Sequence, residues 1–542
     1  MKIALAQLNF IIADFKGNAK KIIDAIEMAK KSQTDLIVFS ELAVCGYPPD
    51  DLLDYPHFNE ICEQTIKEIA QSCKGITAIV GSPMENPEET GRRLYNAACI
   101  LSNGVIQDVV YKTLLPTYDV FNESRYFEVN DIFKTVQING IKTAITICED
   151  LWHEMDKFDY QDNPLGELKA HEPNLVINIS ASPFNRDKME ERMEVLQKQS
   201  AFVKRPLVYV NQVGAHTDLI FDGRSCVVNS YGEPVMSLKT FEEDMAYIEL
   251  NDIDIKPKIT QIEEDDIEYL HKALVFGLRD YFRKMGFKKA VLGSSGGIDS
   301  AVVQALASEA LGSENVMAVM MPSQFSSEGS VKDAVELSQN LGNTYEIIPI
   351  ETAFRAFEQG LSNLFKGLAF NVAEENIQAR SRAIFLMGIS NKLGHILLNT
   401  SNKSEMSVGY STLYGDMCGS LSVIGDVFKT DVYKLATFIN REKTIIPDAI
   451  IYKAPSAELR PDQKDSDSLP EYDILDGILK QYIEHQKGPQ SIVAMGYDTQ
   501  TVERVIKLVN GAEYKRFQSP PILRVSPKAF GRGRIMPLVS RW

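Results

Sequence analysis

Hydrophobic and polar positions alternate along the first half of the chain in two rhythms. Short apolar runs at Ile3–Leu8, Leu36–Phe39, Ile76–Val80, Lys142–Ile147 and Leu175–Ile179 have the length and residue types of buried strands. Between the first two, Ala19–Lys30 (AKKIIDAIEMAK) places its apolar residues at helical spacing. This alternation predicts an α/β unit, or layers of helix, sheet, sheet and helix. At Asn251–Asp266 (NDIDIKPKITQIEEDD) the texture becomes charged, carries a proline and loses apolar content, which predicts an exposed connector running into a helix near Ile267. The second half then cycles through strand Ala290–Leu292, helix Ala301–Leu311, strand Val316–Met321, helix Val331–Leu341 and strand Tyr345–Ile350. That is the βαβ rhythm of a doubly wound parallel sheet. A later stretch, Ala454–Tyr472, is rich in charges and breakers and reads either as a solvated loop or as a lid over a site.

Composition narrows the picture. With 542 residues, 44% hydrophobic and 24% charged, the chain is an ordinary globular sequence and not a disordered one. A formal net charge of −17 argues against nucleic acid and acidic membranes as partners, while leaving room for a locally basic pocket. Seven cysteines, odd in number and with no C-x-x-C pair, suit neither a disulfide framework nor a structural zinc site. The N-terminus reads as a strand rather than a signal peptide, and no apolar run is long enough to span a bilayer. Reducing cytoplasm is the expected location.

Candidate chemistry concentrates in a few segments. Cys148 ends the apolar run KTAITIC and is followed by Glu149 and Asp150. It is either a small core residue or a nucleophile at a strand tip. Two adjacent carboxylates raise a thiol pKa, so a thiolate there needs a nearby cation. Glu41 ends the run LIVFS and Lys112 follows another apolar run, so an acid and an ammonium stand at comparable strand ends. In the second half, VLGSSGGIDSAVVQALA runs an apolar strand into Gly293-Ser294-Ser295-Gly296-Gly297 and then into a helix through Ile298, Asp299 and Ser300. Glycines admit close backbone approach, and free N–H groups and hydroxyls at a helix start form an anion nest. The lysine of the common GxxxxGK[ST] phosphate loop is absent.

The segments SELAVCGYPPDD, YKTLLPTYDVFNESRYF and ICEDLW resemble, in order, the glutaminase branch of the nitrilase superfamily, across residues 1–250. The resemblance implies an αββα sandwich with Glu41 as general base, Lys112 stabilising the tetrahedral intermediate and Cys148 as nucleophile. It further implies that Tyr118, Glu123, Ser182 and Lys188 hold glutamine. SGGIDS resembles the ATP-pyrophosphatase signature. With AEENIQARSRAIFLMGISN, LLNTSNKSEMSVGYSTLYGDMCG, VFKTDVYKLA and EYKRFQSPPILRVSPKAFGRGRIMP, residues 270–542 resemble the NAD+ synthetase family. That likeness implies ATP contacts from the Gly293–Ser300 turn and Thr400, and Mg2+ held by Asp299 and Glu405. It also implies deamido-NAD+ contacts from Asn376, Arg380, Lys403, Glu405, Asp416, Lys429 and Lys515. Singly, NTSNKSE also reads as a polar loop, and the basic tail as a solvated terminus. The family resemblance implies a homo-oligomer. The expected organisation is a glutaminase unit at 1–250, a linker at 251–269 and a synthetase unit at 270–542. The expected reaction amidates deamido-NAD+ at the expense of ATP, with ammonia from glutamine. Other amidotransferases sharing the ATP loop, and a catalytically silent nucleotide sensor, are the competing readings.

Overall fold

The structure, a computed structural model, describes residues 1–88, 90–153, 160–259, 265–461, 463 and 465–540. The chain divides into two compact units, Met1–Glu263 and Glu264–Trp542.

The first unit is built on two six-stranded sheets. One runs, in spatial order, Asp244–Glu249, Lys2–Gln7, Leu36–Val38, Thr77–Glu85, Leu94–Ser102 and Val105–Tyr111. The other runs Pro234–Ser237, Cys226–Val228, Leu207–Asn211, Leu175–Ser180, Ile141–Ile147 and Val136–Ile138. Strand alternation explains the layering. Ile3 and Leu5 join Val38, Ile145, Ile147, Ile177 and Val208 in the core between the sheets. Ala4 and Ala6 face the other way, onto Ile22, Ile26, Ile66 and Ile69 of helices Phe15–Lys31 and Pro56–Gln71. On the far side Ala144, Val176 and Leu207 meet Leu168, Val195 and Leu196 of helices Pro164–Ala170 and Lys188–Val203. The result is a helix–sheet–sheet–helix sandwich. Its two central trios are parallel: Lys2–Gln7, Leu36–Val38 and Thr77–Glu85 in one sheet, Ile141–Ile147, Leu175–Ser180 and Leu207–Asn211 in the other.

The second unit holds a five-stranded, all-parallel sheet in the order Thr344–Ile347, Val316–Met320, Ala290–Gly293, Ile396–Asn399, Leu421–Ser422. Chain order reverses between Ala290–Gly293 and Ile396–Asn399, the switch point where open α/β sheets take ligands. A separate cluster joins helices Lys403–Val408, Tyr472–Leu479 and Thr499–Gly511 through Met406, Leu475, Ile478, Val502 and Val505.

Among the boundaries that differ from expectation, three have a plain local reason. The helix after the glycine turn begins at Ile298, not Ala301, because Gly297 is already its N-cap; Asp299 and Ser300 therefore lie in a helical first turn. The last predicted strand is the short, exposed edge Thr344–Ile347. The stretch taken as connector is not uniformly free: Ile253 is buried in the sandwich core, and the Ile259 N–H donates to the Pro234 carbonyl (2.9 Å). Helix Asp266–Met285 starts inside the stretch, capped by Asp265, whose side chain accepts from the Ile267 N–H. Residues 260–264 lie outside the described residues.

Candidate active sites

In the sandwich, two strand ends of one sheet and the turn Glu123–Arg125 bring three candidate residues into one buried cluster. Glu41 follows strand Leu36–Val38, and its loop lies hard against strand Thr77–Glu85. A Cβ on Gly81 would stand 2.3 Å from the Leu42 nitrogen and 2.5 Å from the Ser40 oxygen, so only glycine permits the approach. Lys112 follows strand Val105–Tyr111 and is fully buried, as is Glu41. Its Nζ donates to Glu41 Oε1 (2.7 Å) and to both oxygens of Glu123 (2.9 and 2.8 Å). Asn96 donates to Glu41 Oε1 (2.7 Å), the Ala181 N–H donates to Glu41 Oε2 (2.9 Å), and the Tyr47 hydroxyl donates to Glu123 Oε1 (2.8 Å). Burial alone would lower the Lys112 pKa; Glu123 and Glu41 outweigh it and hold the ammonium well above its ordinary value. Burial pushes the Glu123 carboxyl up, opposed by Lys112.

Cys148 opens a single 3-10 turn, Cys148–Leu151, directly after strand Ile141–Ile147. Its φ is +44°, in the left-handed region that a non-glycine residue enters only when neighbours enforce it. Asp150 supplies that enforcement. One of its oxygens accepts from the Thr113 and Leu114 N–H groups (3.0 and 2.8 Å), the other from the Ile147 N–H (2.9 Å). This buried carboxylate therefore ties the residues just after Lys112 to the residue just before Cys148. Burial pushes the Asp150 pKa up to about 7 against those three donors. Burial and the Glu41 carboxylate push the Cys148 thiol well up, while Lys112 pulls it down. The sequence-level expectation that both following carboxylates act on the thiol holds only for Glu149, because Asp150 is turned to the backbone.

The four residues expected to hold glutamine separate. Glu123 belongs to the Lys112 cluster, with both oxygens on that ammonium. Tyr118 donates to Glu149 (2.9 Å), as does Tyr160 (2.9 Å). Lys188, at the start of helix Lys188–Val203, lies 3.6 Å over the Trp152 ring; burial lowers its pKa, and Glu149 is the charge that counters this. Ser182 is buried, and its N–H donates to Asn211 Oδ1 (2.9 Å). Glu149 thus accepts from both Tyr118 and Tyr160 and is the largest charge opposing the burial of Lys188, a role invisible while it was only a neighbour of the cysteine. Asn96 had a weak signal, a lone amide in the apolar run LYNAACIL.

In the second unit a cavity of about 300 Å3 opens at the strand ends of the switch point. The whole turn Gly293–Ser300 lines it, with Thr400, Glu405, Asp416 and Lys429. Gly296 has φ +78°, and a Cβ there would stand 2.3 Å from the Ser330 carbonyl oxygen. The turn is braced from within: Ser294 Oγ donates to Gln304 (2.9 Å), and Ser300 Oγ donates to the Gly297 carbonyl (2.9 Å). Lys429 Nζ donates to Asp299 and, at 3.3 Å, to Glu405; Asn402 donates to Asp299 Oδ1 (2.9 Å). Burial pushes the Glu405 pKa up to about 8, relieved in part by Lys429. Lys453 and, from the stretch read as loop or lid, Ala454–Leu459 and Asp465 also line the cavity. Glu458 pins that stretch by accepting from Ser330 Oγ (2.7 Å) and Lys453 Nζ (2.7 Å). Residues 462 and 464 of the stretch lie outside the described residues.

Asn376, Arg380, Asp416 and Lys515 meet around loop 409–418. Thr412 Oγ1 donates to Asn376 Oδ1 (2.7 Å), Arg380 Nε to the Leu413 carbonyl (3.1 Å), and the Thr412 N–H to Asp416 (2.6 Å). Lys515 Nζ donates to the Gly409 and Ser411 carbonyls (both 2.7 Å). Lys403 is different in its surroundings. It is fully buried and, like Asn376, Arg380 and Lys515, does not line the cavity. Its ammonium is taken up by Glu484 (2.6 Å), Asp426 (2.9 Å), Ser526 (2.6 Å) and the Lys528 carbonyl (3.0 Å).

Comparisons with known proteins agree with this division. Residues 2–257 match the carbon-nitrogen hydrolase family and residues 270–519 the NAD synthase family. The chain is 45% identical to the glutamine-dependent NAD(+) synthetase of Synechocystis, covering 99% of this chain and 98% of the relative. It is 39% identical to that of Thermotoga maritima, covering 100% and 99%. Among solved structures, the glutamine-dependent NAD+ synthetase of Acinetobacter baumannii in complex with ADP superposes with a TM-score of 0.79 at 38% identity, covering 100% of this chain and 99% of that one.

Proposed function

The chain belongs to the family of glutamine-dependent NAD+ synthetases, ATP-using ligases with a glutaminase unit, and on that premise we propose how its residues divide the work. In the first unit Glu41 takes the thiol proton of Cys148 as the sulfur attacks the amide carbon of glutamine. The Lys112 ammonium donates to the oxygen that gains charge in the tetrahedral intermediate. The C–N bond breaks, the leaving nitrogen takes the proton and departs as ammonia, and water then cleaves the thioester to glutamate. Glu123 and Asn96 hold the Lys112–Glu41 pair in register. Tyr118, Lys188 and Glu149 form the polar wall that meets the charged end of glutamine, with Ser182 on the adjoining strand end.

In the second unit the Gly293–Ser300 turn and Thr400 take ATP. A carboxylate oxygen of deamido-NAD+ bonds to the α-phosphorus, pyrophosphate leaves with the electron pair, and ammonia displaces AMP from the acyl carbon to give the amide. Asn376, Arg380, Asp416 and Lys515 shape the dinucleotide side through loop 409–418, and Lys429 counters phosphate charge. Mg2+ fits the donor set. It keeps several waters and needs only one or two carboxylates plus phosphate oxygens, and Asp299 and Glu405 both line the cavity beside the turn. Burial pushes the Glu405 pKa up, a cost that a cation relieves. Asp299 and Glu405 would hold the ion, which when bound offsets charge on the leaving pyrophosphate.

One observation carries the reading: a thiol on a strained strand-end turn beside a carboxylate–ammonium pair stands in the same chain as a glycine turn built to cradle phosphate. The experiment is a single balance sheet with deamido-NAD+, ATP, Mg2+ and glutamine. NAD+, AMP and pyrophosphate appear in equal amounts, with glutamate at least matching them. No AMP with any substrate acid sinks the reading in favour of a silent nucleotide sensor. We place the protein in the cytoplasm as a homo-oligomer. All seven cysteines are free, which suits a reducing compartment. Among the described residues no helix is long and apolar enough to cross a membrane. Leu364, Leu368, Val372 and Ile384 are 60–77% exposed on and just before helix Val372–Leu393, an apolar face that suits a second copy. A sedimentation mass at the 60.7 kDa of one chain overturns the oligomer.

A further inference from the structure

Three cations line the cavity of the second unit: Lys429, Lys453 and Arg382. Two are committed. Lys429 is paired with Asp299 and Glu405, and Lys453 with Glu458. Arg382, on helix Val372–Leu393, has no carboxylate within ion-pair distance among the described residues. Its one hydrogen bond among the described residues runs from Nε to the Met321 carbonyl (3.0 Å), which leaves the Nη1/Nη2 fork without a partner among them. Met321 follows strand Val316–Met320 and abuts the entrance of the glycine turn: its Cε would lie 3.3 Å from a Cβ on Gly293. Leu386, one helical turn beyond Arg382, would lie 3.4 Å from the same point. The guanidinium is therefore anchored at the strand end of the turn, whereas Lys429 and Asp299 stand at its helix end.

Burial lowers the Arg382 pKa to about 10, with Glu458 and Asp416 opposing, so the group stays charged at neutral pH. A partly desolvated charge with unused donors is costly until an anion arrives. The rest of the wall is rich in carboxylates, Asp299, Glu405, Asp416, Glu458 and Asp465, and both lysines are already paired with members of that set.

We propose that Arg382 is a further catalytic residue of this unit, whose fork grips the α-phosphate of ATP while the carboxylate of the acid substrate attacks it. The proposal rests on the adenylation step above. The two positive groupings bracket the bond that breaks: the fork at the α-phosphate, and Lys429 with the metal ligands on the pyrophosphate side. One P–O bond forms to the carboxylate oxygen, the bridging P–O bond breaks, and pyrophosphate leaves with the electron pair. Arg382 neither gains nor loses a proton. A fork contacts two non-bridging oxygens at once and follows them as charge shifts, which a lysine cannot do.

The test measures deamido-NAD+-dependent exchange of labelled pyrophosphate into ATP for the wild type, Arg382→Gln and Arg382→Lys. Glutaminase rate and melting temperature serve as fold controls. Arg382→Gln lowers the kcat of exchange by roughly 10²–10³-fold, the loss typical of one removed transition-state donor, with KM for deamido-NAD+ little changed. Arg382→Lys recovers only part of the rate. Unchanged exchange in Arg382→Gln overturns the proposal. So does a rise in KM for deamido-NAD+ with kcat intact, which would move the residue to the second substrate. If Arg382→Gln fails to fold, Arg382→Lys decides: a wild-type rate overturns the grip. A wild type with no deamido-NAD+-dependent exchange instead sinks the functional reading itself, so the two failures are distinct.

Discussion

The two sites handle charge in opposite ways. In the sandwich, Glu41 and Glu123 close on Lys112, so the hydrogen bonds of that ammonium are made within the protein. Around the glycine turn the wall carries surplus carboxylate, and one guanidinium fork has no partner among the described residues. The difference follows from the chemistry. A glutaminase makes and breaks a covalent bond to its own thiol, so its acid, base and donor must be fixed beforehand. A site for a nucleotide polyphosphate leaves its balance to be completed by the ligand.

The sharpest way to break the comparison is to remove the thiol. Cys148→Ala lowers glutamine-dependent NAD+ formation on the order of 10³-fold or more, while synthesis from high ammonia persists. Equal loss with both nitrogen donors would end the division of labour. Asp299→Asn acts on the other side: NAD+ formation from glutamine and from ammonia both fall by about 10²-fold or more, and basal glutaminase activity stays. Normal ammonia-dependent turnover in that variant would remove Asp299 from the metal and phosphate machinery.

Asp150→Asn probes whether the sandwich cluster is as pre-set as it looks. One amide oxygen cannot accept what two carboxylate oxygens accept, so the Cys148 turn and the Lys112 segment lose their tie. Glutaminase kcat falls roughly 10–10²-fold, with ammonia-dependent synthesis unchanged. The same residue makes a pH prediction. Asp150 binds its proton up to about pH 7 when folded and up to about pH 4 when unfolded. The folded unit holds more protons in that window, so stability falls as pH rises through it, by up to about 1.4 kcal/mol per unit. Denaturation of Asp150→Asn between pH 4 and 7 shows a shallower slope than wild type; an identical slope refutes the assignment. Last, Lys403→Met strands Asp426 and Glu484 without their cation and costs about 3–5 kcal/mol of stability. KM for deamido-NAD+ in the folded fraction is unchanged. A raised KM with stability intact would return Lys403 to the ligand site.

Much of this was legible in the chain. Apolar runs of strand length located the sheets, because a strand buried on both faces needs an unbroken apolar stretch. Cys148, Glu41 and Lys112 were legible as strand-end residues, and the SGGIDS turn through its glycines. Partners were not legible. Asp150 looked like a second charge on the thiol until its oxygens were seen on three backbone N–H groups. Lys403 sits in a segment rich in functional residues, yet its side chain turns into the core. Arg382 sits two residues from Arg380 on one helix, and the 3.6-residue period sends the two guanidiniums to different neighbours.

The sequence by itself determined the two-unit organisation, the layering of each unit and the residue types able to do thiol and phosphate chemistry. Those depend on hydrophobic period, turn residues and local order, all of which are written in neighbouring positions. Only the tertiary structure decided which charges cancel one another and which remain open to a ligand. That depends on residues such as Glu41, Lys112 and Glu123, or Asp299, Asn402 and Lys429, that are separated by up to 130 positions in the chain and by one hydrogen bond in space. Coulomb energies follow the second distance, not the first.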